Sequence, residues 1–237
     1  MQSKFALLTT VNSPLVGYLI RELININILP EFLVYDSKGF SKKDLIIYQE
    51  RTEGKMPPIC FSDFASYEIP CYFVENHNDQ NCVSLTQNNN IDLLVNAGTP
   101  RILAGEILDI AKYGVINCHP GLLPEFRGCS CVEWAIYYDK KIGNSVHKIS
   151  EGIDDGPLIC KEELVFPLSY IYSDIRVKVF KAGVKLYVNT IKDIIENNIS
   201  CKDYIEQKNG KYFKPIDQEK FRIVKSKIKQ KKYKYQI

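Results

Sequence analysis

The chain has 237 residues, of which 45% are hydrophobic and 25% charged, enough for one domain with a modest appendage. Its formal net charge of +3 argues for neither nucleic acid nor a membrane surface as a partner. No apolar run is long enough to cross a bilayer, so we expect no membrane association. The eight cysteines are spread out without a CxxC pair, and there are three histidines; we therefore expect a reducing, cytoplasmic location and no metal site.

The first elements form a β-α-β unit. Residues 5–9 are predicted to be a buried strand, and residues 12–14 (Asn-Ser-Pro) to start a helix that Pro30 stops. A second strand is predicted over 32–35, and Ser41 is predicted to open a second amphipathic helix. This order predicts a parallel sheet with covering helices.

The same alternation continues through the middle of the chain. The further predicted strands cover 71–74, 91–96, 115–119, 144–149 and 157–164. The further predicted helices are a short one within 76–90, one over 101–113 between Pro100 and Gly114, and two over 130–138 and 171–197.

The last segment, 219–237, is rich in lysine with interleaved apolar and aromatic residues. We interpret it as an amphipathic terminal helix that docks its apolar side on the domain. Contact with phosphates or nucleic acid is the alternative. We divide the chain into a domain over 1–200 and a short C-terminal extension over 201–237.

Polar side chains gather at the end of the predicted strand 115–119. Asn117 and His119 are two positions apart, so their side chains emerge on one face of the strand, whereas Cys118 points the other way into the core. Carboxyl ends of parallel strands are where open α/β sheets place ligands. An amide that binds an oxyanion beside an imidazole that moves protons suits attack on a carbonyl.

A carboxylate follows in the turn after the strand that contains His147. Asp154 from this turn is in a position to orient the imidazole of His119 and stabilise its charged form. Ordinary turn chemistry explains Asp154 and Asp155 equally well, because aspartate and glycine are common turn residues.

The order of these motifs resembles the folate-dependent formyltransferases. The sequence N-x-H-P-G-L-L-P-x-F-R-G begins at Asn117 and is followed by S-x-x-x-W-A-I, S-V-H and I-D-D-G-P-L-I, over about residues 90–165. The family includes glycinamide ribonucleotide, methionyl-tRNA and nucleotide-sugar formyltransferases. The resemblance implies an α/β fold with a Rossmann-like open, mainly parallel sheet and helices on both faces, and a catalytic trio of Asn117, His119 and Asp154.

The resemblance also implies N10-formyltetrahydrofolate as co-substrate and no metal. It implies folate contacts along two segments, with the named residues Arg101, Leu103, Ser150, Gly152 and Ile153. For the amine substrate we select Thr9, Asn12, Gly121 and Arg127, together with Tyr212 and Phe213.

Three acceptors within the family are ranked by what the chain lacks. Little chain remains after residue 200 for an RNA-contacting domain, and residues 9–14 do not match the Gly- and Ser-rich phosphate loop of the purine-pathway enzyme. The expected acceptor is thus a nucleotide-linked amino-dideoxy sugar of surface-polysaccharide (O-antigen) synthesis, first dTDP-4-amino-4,6-dideoxyglucose, in a homodimeric enzyme. Phosphoribosylglycinamide formyl transfer, formyltetrahydrofolate hydrolysis and a non-catalytic binding module stay open as alternatives.

Overall fold

The strands form one large sheet and one small ribbon. A computed structural model, which describes residues 2–237, has the strands β1 (Phe5–Thr10), β2 (Leu33–Asp36), β3 (Cys71–Val74), β4 (Leu93–Asn96), β5 (Val115–His119), β6 (Arg127–Gly128), β7 (Ile142–Lys148), β8 (Leu158–Leu164) and β9 (Tyr212–Phe213). Seven of them lie in the order β3-β2-β1-β4-β5-β7-β8, and β6 pairs with β9. The first five strands of that order pair in parallel, and β7 pairs antiparallel with both β5 and β8, which confirms the mainly parallel open sheet.

Helices cover both faces of the sheet. They are α1 (Val16–Asn25), α2 (Lys42–Thr52), α3 (Gln80–Asn88), α4 (Cys131–Tyr137), α5 (Tyr172–Ile195) and α6 (Gln218–Lys229). Apolar side chains of α1 and α5 share one core cluster with Phe5 and Leu7 of β1. Those of α3 share another with the alternating Ala6 and Leu8.

Helix starts follow local chemistry where a capping side chain is present. Ser41 opens α2 as predicted: its hydroxyl accepts from the backbone N–H of Asp44, whose carboxylate accepts in return from the N–H of Ser41. α1 ends at Asn25, ahead of Pro30, and Asn27 then adopts a left-handed conformation. The proline therefore does not terminate that helix.

The helix predicted over 101–113 is wrong. Only a 3-10 turn forms there, over Gly105–Leu108. Ala104 is fully extended (φ −155°, ψ 160°) and Gly105 has φ +73°, and both conformations interrupt an α-helix. The apolar side chains of Leu103, Ile107 and Leu108 are buried in the core, which explains their helix-like spacing without a helix.

The topology creates a switch point beside β1. From β1 the chain builds β2 and β3 on one side, then crosses to β4 and β5 on the other. In open sheets of this kind ligands bind at the carboxyl ends of the strands next to such a crossing. Asn96 ends β4 and His119 ends β5 at that edge.

The C-terminal segment docks on the body of the protein as predicted. The apolar side of α6, with Val224 and Ile228, joins a core cluster that includes Trp134 of α4, while β9 pairs with β6. The extension thus contributes strand β9 to the small ribbon and apolar side chains to this core cluster. No helix within residues 2–237 has the length and hydropathy of a membrane span.

Candidate active site

The site begins with two side chains at the end of β5. Asn117 and His119 lie on one face of that strand, and His119 is only 4% exposed. Cys118 points the opposite way, with its Sγ 3.3 Å from the carbonyl oxygen of Gly183 in α5. Successive side chains of β5 therefore alternate between the two faces of the sheet as expected, with Asn117 and His119 on one face and Cys118 on the other.

Asn96 fixes the orientation of the Asn117 amide. The Oδ1 atom of Asn96 accepts from the backbone N–H groups of Gly98 and Thr99, each at 3.0 Å, so its Nδ2 group must be the donor on the other side. That Nδ2 donates to Oδ1 of Asn117 at 3.1 Å. The amide nitrogen of Asn117 is consequently presented as a donor.

His147 receives one of the two Asn117 protons. It lies directly opposite Asn117 in the antiparallel β5–β7 pair, and its Nε2 is 3.2 Å from Asn117 Nδ2. Its Nδ1 is 2.9 Å from the carbonyl oxygen of Lys148 and donates to it, which leaves Nε2 as the acceptor. The second proton of the Asn117 amide remains for a ligand.

Asp154 lies between the two imidazoles. Its Oδ2 is 3.4 Å from Nδ1 of His119, and its Oδ1 is 3.5 Å from Nε2 of His147. The backbone N–H of Gly128 donates to Oδ2 at 2.8 Å, and Gln207 donates to the Asp154 carbonyl at 3.3 Å. Asp154 itself has φ +51°, a left-handed conformation that aspartate tolerates in turns.

The ring of His119 has one nitrogen committed to the backbone. Its Nε2 lies 2.8 Å from the carbonyl oxygen of Phe126 and donates to it, so the neutral ring turns a bare Nδ1 toward Asp154. A proton that arrives between Nδ1 and the carboxylate converts this contact into a charge-assisted hydrogen bond. The pair is therefore built to accept a proton.

The two pKa values of the pair follow from burial and from this contact. Burial lowers the pKa of His119 below its ordinary value, and the negative charge of Asp154 offsets part of that effect. For Asp154, burial opposes ionisation, but its contacts with the imidazoles of His147 and His119 and the bond from the Gly128 N–H hold its pKa below the usual range. At neutral pH the imidazole is thus neutral and the carboxylate charged.

The two predicted folate segments lie side by side. The backbone N–H of Gly105 donates to the Glu151 carboxylate at 3.2 Å, which ties the segment after Arg101 to the 150–155 loop. Ile102 is 71% exposed and Ile153 is 51% exposed, so each segment presents a large apolar side chain to solvent.

The predicted folate residues have different roles. The guanidinium of Arg101 is paired with Asp36 of β2, with its Nη2 2.6 Å from Oδ1, and is not free for a ligand charge. The side chain of Leu103 is buried in the core, so it offers no more than backbone. The Ser150 hydroxyl donates to Asp155, whose carboxylate occupies the space that a Cβ at Gly152 would need.

Several side chains selected for the amine substrate are committed elsewhere. Thr9 is fully buried with its hydroxyl donated to the carbonyl of Ala97, so its side chain already has a partner. Both amide atoms of Asn12 are bonded to the backbone of Phe40. The Phe213 ring is buried and stacked on Phe126 at 5.2 Å, which makes it a core residue.

Other selected residues do lie at the site. A Cβ added at Gly121 would approach Nε2 of His119 to 2.7 Å, so this glycine gives the ring its space. Arg127 and Tyr212 line one shallow cavity of about 330 Å³ together with Ile153, Asp155 and Gly210, immediately beside Asp154.

A second, narrower cavity of about 150 Å³ opens on the other side of Asn117. It lies between the β4 and β5 ends and helices α1 and α5, and its lining includes Asn96, Asn117, Pro120 and Phe180. Asn117 therefore stands between a cavity on the α5 side and the Asp154 loop. Within residues 2–237 no group of three or more His, Cys, Asp or Glu side chains is arranged to hold a metal ion.

Sequence reasoning missed Asn96 and His147. Both are polar residues in buried strands, Asn96 at the end of a run of apolar residues and His147 in the S-V-H motif. A polar side chain in such a position signals a committed hydrogen-bond partner. The partner itself depends on strand register, which the sequence does not display.

Comparison with known proteins identifies the family of the chain. Residues 39–191 match the family described as Formyl transferase. A methionyl-tRNA formyltransferase of Clostridium perfringens strain SM101 is 31% identical over 181 residues, which cover 72% of this chain and 59% of that protein. The chain thus spans 59% of the length of this curated relative.

Solved structures share the fold at low identity. Phosphoribosylglycinamide formyltransferase from Anaplasma phagocytophilum is 19% identical with a TM-score of 0.63, covering 92% of this chain and 99% of that one. The formyltransferase PseJ from Anoxybacillus kamchatkensis, solved with UDP-4,6-dideoxy-4-formamido-L-AltNAc and tetrahydrofolate, is 19% identical with a TM-score of 0.57, covering 98% of both chains. With a family match over most of its length, the chain belongs to the formyl transferase family.

Proposed function

We propose that the chain transfers a formyl group from N10-formyltetrahydrofolate to the primary amine of a nucleotide-linked amino-dideoxy sugar, first dTDP-4-amino-4,6-dideoxyglucose, in surface-polysaccharide synthesis. The observation that carries the transfer is the donor amide of Asn117, held by Asn96 and placed in one network with the His119–Asp154 pair. We also propose a cytoplasmic homodimer with a catalytic domain over 1–200, from family resemblance.

Each member of the trio has a role in the proposed reaction. The free N–H of Asn117 donates to the formyl oxygen as negative charge develops there during attack by the neutral amine. Asp154, the more exposed member of its pair with His119, takes the amine proton directly or through water. His119 shares that proton through Nδ1, because a proton at that position relieves the contact between its lone pair and the carboxylate. As the tetrahedral intermediate collapses, the C–N10 bond breaks and this proton passes to N10 of the departing tetrahydrofolate.

The folate is placed on the side of the Asp154 loop. Its pterin has a flat, partly apolar surface, and the exposed Ile102 and Ile153 on two tied segments offer apolar contact. The expected contacts are therefore backbone groups near Leu103 and along 150–154, with Ile153 as the apolar side chain. Arg101 positions its segment through Asp36.

The amine is placed on the other side of Asn117, in the cavity between α1 and α5. This cavity reaches Pro120 next to His119 and includes Asn117 in its wall. Support for a nucleotide sugar comes from PseJ, a protein of matching length that was solved with such a compound and tetrahydrofolate.

A second candidate acceptor is the amino group of methionyl-tRNA. It is favoured by the 31% identity to a methionyl-tRNA formyltransferase, a closer match than any of the solved structures cited above. The phosphoribosylglycinamide reaction is a third, since an enzyme of that activity shares the fold.

One assay compares all three acceptors and water. The purified protein is incubated with N10-formyltetrahydrofolate and, separately, dTDP- and GDP-linked amino sugars, methionyl-tRNA, phosphoribosylglycinamide or no acceptor. Product masses are then followed. A gain of one formyl mass on an amino sugar supports the proposal, whereas formylation of the tRNA or glycinamide alone, or formate release without an amine, contradicts it. Asn117→Ala, His119→Ala and Asp154→Ala are expected to reduce turnover by about a hundredfold or more.

A further inference from the structure

A separate cavity of about 390 Å³ lies between α2 and α5. Its walls are aromatic and cationic: Phe40, Tyr48, Phe180, Arg51 and Arg176 all line it. Phe180 also lines the narrow cavity beside Asn117, and Arg176 lies one helical turn before Phe180 on α5. Phe180 is thus common to the walls of the two cavities, one of which includes Asn117 and the other the two arginines.

The arginines share one buried carboxylate. Glu133 of α4 is fully buried, and its Oε1 is 3.6 Å from Nε of Arg51 and 3.6 Å from Nη1 of Arg176. Burial opposes its ionisation, yet the two guanidinium charges and the Tyr172 hydroxyl hold the pKa of Glu133 below its usual value. Two positive charges face one negative charge, so this buried group has an excess of one positive charge.

The cluster also leaves a donor without a partner. Arg176 is only 4% exposed, and its buried Nε–H has no hydrogen-bond partner among the described residues. A buried charged donor without a partner is unfavourable, because the desolvation of the group is not repaid. Arg51 keeps 23% of its side chain exposed toward the same space.

The other acidic group of the cavity, Asp44, is held by local hydrogen bonds. The Asp44 carboxylate is bonded to the N–H and hydroxyl of Ser41 at the start of α2, where helix geometry favours negative charge. It makes no ion pair with Arg51 or Arg176, whose shared carboxylate partner is Glu133.

We propose that Arg51 and Arg176 form a phosphoryl subsite that binds the diphosphate of the acceptor, in the cavity that shares Phe180 with the proposed amine cavity. This inference rests on the proposed function, because it assigns the anionic part of the acceptor to the α5 side of Asn117. Guanidinium groups suit phosphoryl oxygens, which they bind through paired N–H donors. The aromatic walls supply faces for the attached ring systems.

A purely structural role is the competing explanation. In that case Arg51 and Arg176 only join α2 and α5 to Glu133 of α4, and removing Glu133 weakens the fold without helping an anion. In a phosphoryl subsite, Glu133 competes with the ligand for both guanidinium groups. Glu133→Gln, which preserves the size of the side chain, then strengthens anion binding.

The test is calorimetric titration of the full chain with inorganic pyrophosphate and with dTDP, in the absence of folate and amine. Wild type is expected to bind both, Arg51→Gln to bind at least about tenfold more weakly, and Glu133→Gln several-fold more tightly. Arg222→Gln, which removes an exposed arginine of α6 outside this cavity, is the matched control and leaves affinity unchanged. Circular dichroism melting confirms that each variant folds.

Three outcomes overturn the subsite. They are no binding of either probe to wild type, equal weakening in Arg51→Gln and Arg222→Gln, or weaker binding in Glu133→Gln at retained fold. Binding is measured without formyl transfer, so a wrong acceptor or a failed transfer assay leaves this result readable. Conversely, active transfer to an amino sugar with an unchanged KM in Arg51→Gln rejects the subsite and retains the proposed function.

Discussion

Asn96 orients the site although it has no chemical role of its own in the proposed reaction. An amide side chain has a donor end and an acceptor end of nearly equal shape, and only its hydrogen bonds decide which end faces a ligand. Two backbone N–H groups fix Asn96, and Asn96 in turn fixes Asn117. The orientation of the Asn117 donor that the proposed reaction requires is thus fixed by a residue of the neighbouring strand β4.

This relay predicts the effect of Asn96→Asp. The carboxylate keeps the two bonds from Gly98 and Thr99 but cannot donate to Asn117, so the Asn117 amide is free to turn its oxygen toward the formyl group. We expect kcat to fall by about tenfold or more, with an unfolding temperature close to that of wild type. Steady-state kinetics and thermal unfolding check both. Wild-type turnover would show that Asn117 does not need this partner.

A pH profile tests the His119–Asp154 pair. Transfer needs a pair that can accept a proton, so activity falls when acid protonates His119, and burial places that fall below the ordinary histidine value. Asp154 raises the pKa of His119, so Asp154→Asn lowers it further. The acid limb of kcat/KM is then expected to move to lower pH, with an overall rate about a hundredfold lower. A limb that stays in place or moves upward contradicts this assignment.

Local sequence was sufficient for some of these residues and not for others. Asn117 and His119 were predicted because strand alternation and a following proline and glycine act within a few positions. His147 and Asn96 reach Asn117 only through the β5–β7 register and the adjacency of β4 to β5. The commitment of Thr9 and Asn12 to backbone partners is likewise non-local, so the sequence does not show that these side chains already have partners.

At the scale of elements, the loop after β5 determines the space around His119. Sequence periodicity predicted strands and long helices closely, as with α5, but predicted a helix before β5 that Ala104 and Gly105 interrupt. Loop geometry depends on single backbone conformations, which periodicity does not report. Gly121 shows how much one such position matters.

Gly121→Ala is predicted to displace the imidazole. The added Cβ would lie 2.7 Å from Nε2 of His119 and 2.9 Å from Cβ of Cys131, so the ring must shift and lose its bond to Phe126. We expect kcat to fall by about tenfold or more. Gly54→Ala is the control, because that glycine has φ +70° with nothing within 4 Å. It should cost about 1 kcal/mol of stability at unchanged kcat, and equal kinetics of the two variants would refute the steric argument.

At the scale of the whole molecule, backbone hydrogen bonds connect the C-terminal extension to the candidate active site. Lys211 and Phe213 accept backbone N–H bonds from Arg127 and Cys129, on either side of the Gly128 N–H that binds Asp154. Folding of the C-terminal segment therefore helps to place a group in the proposed proton relay. The division of the chain at residue 200 remains a proposal. Backbone hydrogen bonds connect the two proposed parts directly, from Arg127 and Cys129 to Lys211 and Phe213.

Phe213→Ala tests that connection. The ring stacks on Phe126 and packs 5.5 Å from Trp134, so its loss leaves a cavity between β9 and α4 and should lower the free energy of unfolding by about 3 kcal/mol. Because the Phe126 carbonyl also accepts the hydrogen bond from Nε2 of His119, kcat should fall in the fraction that stays folded. Phe73→Ala, at an exposed ring of β3, is the control and should cost about 1 kcal/mol or less. Urea unfolding and single-temperature kinetics measure both effects, and a stable Phe213→Ala protein with normal turnover would show that the extension does not support the site.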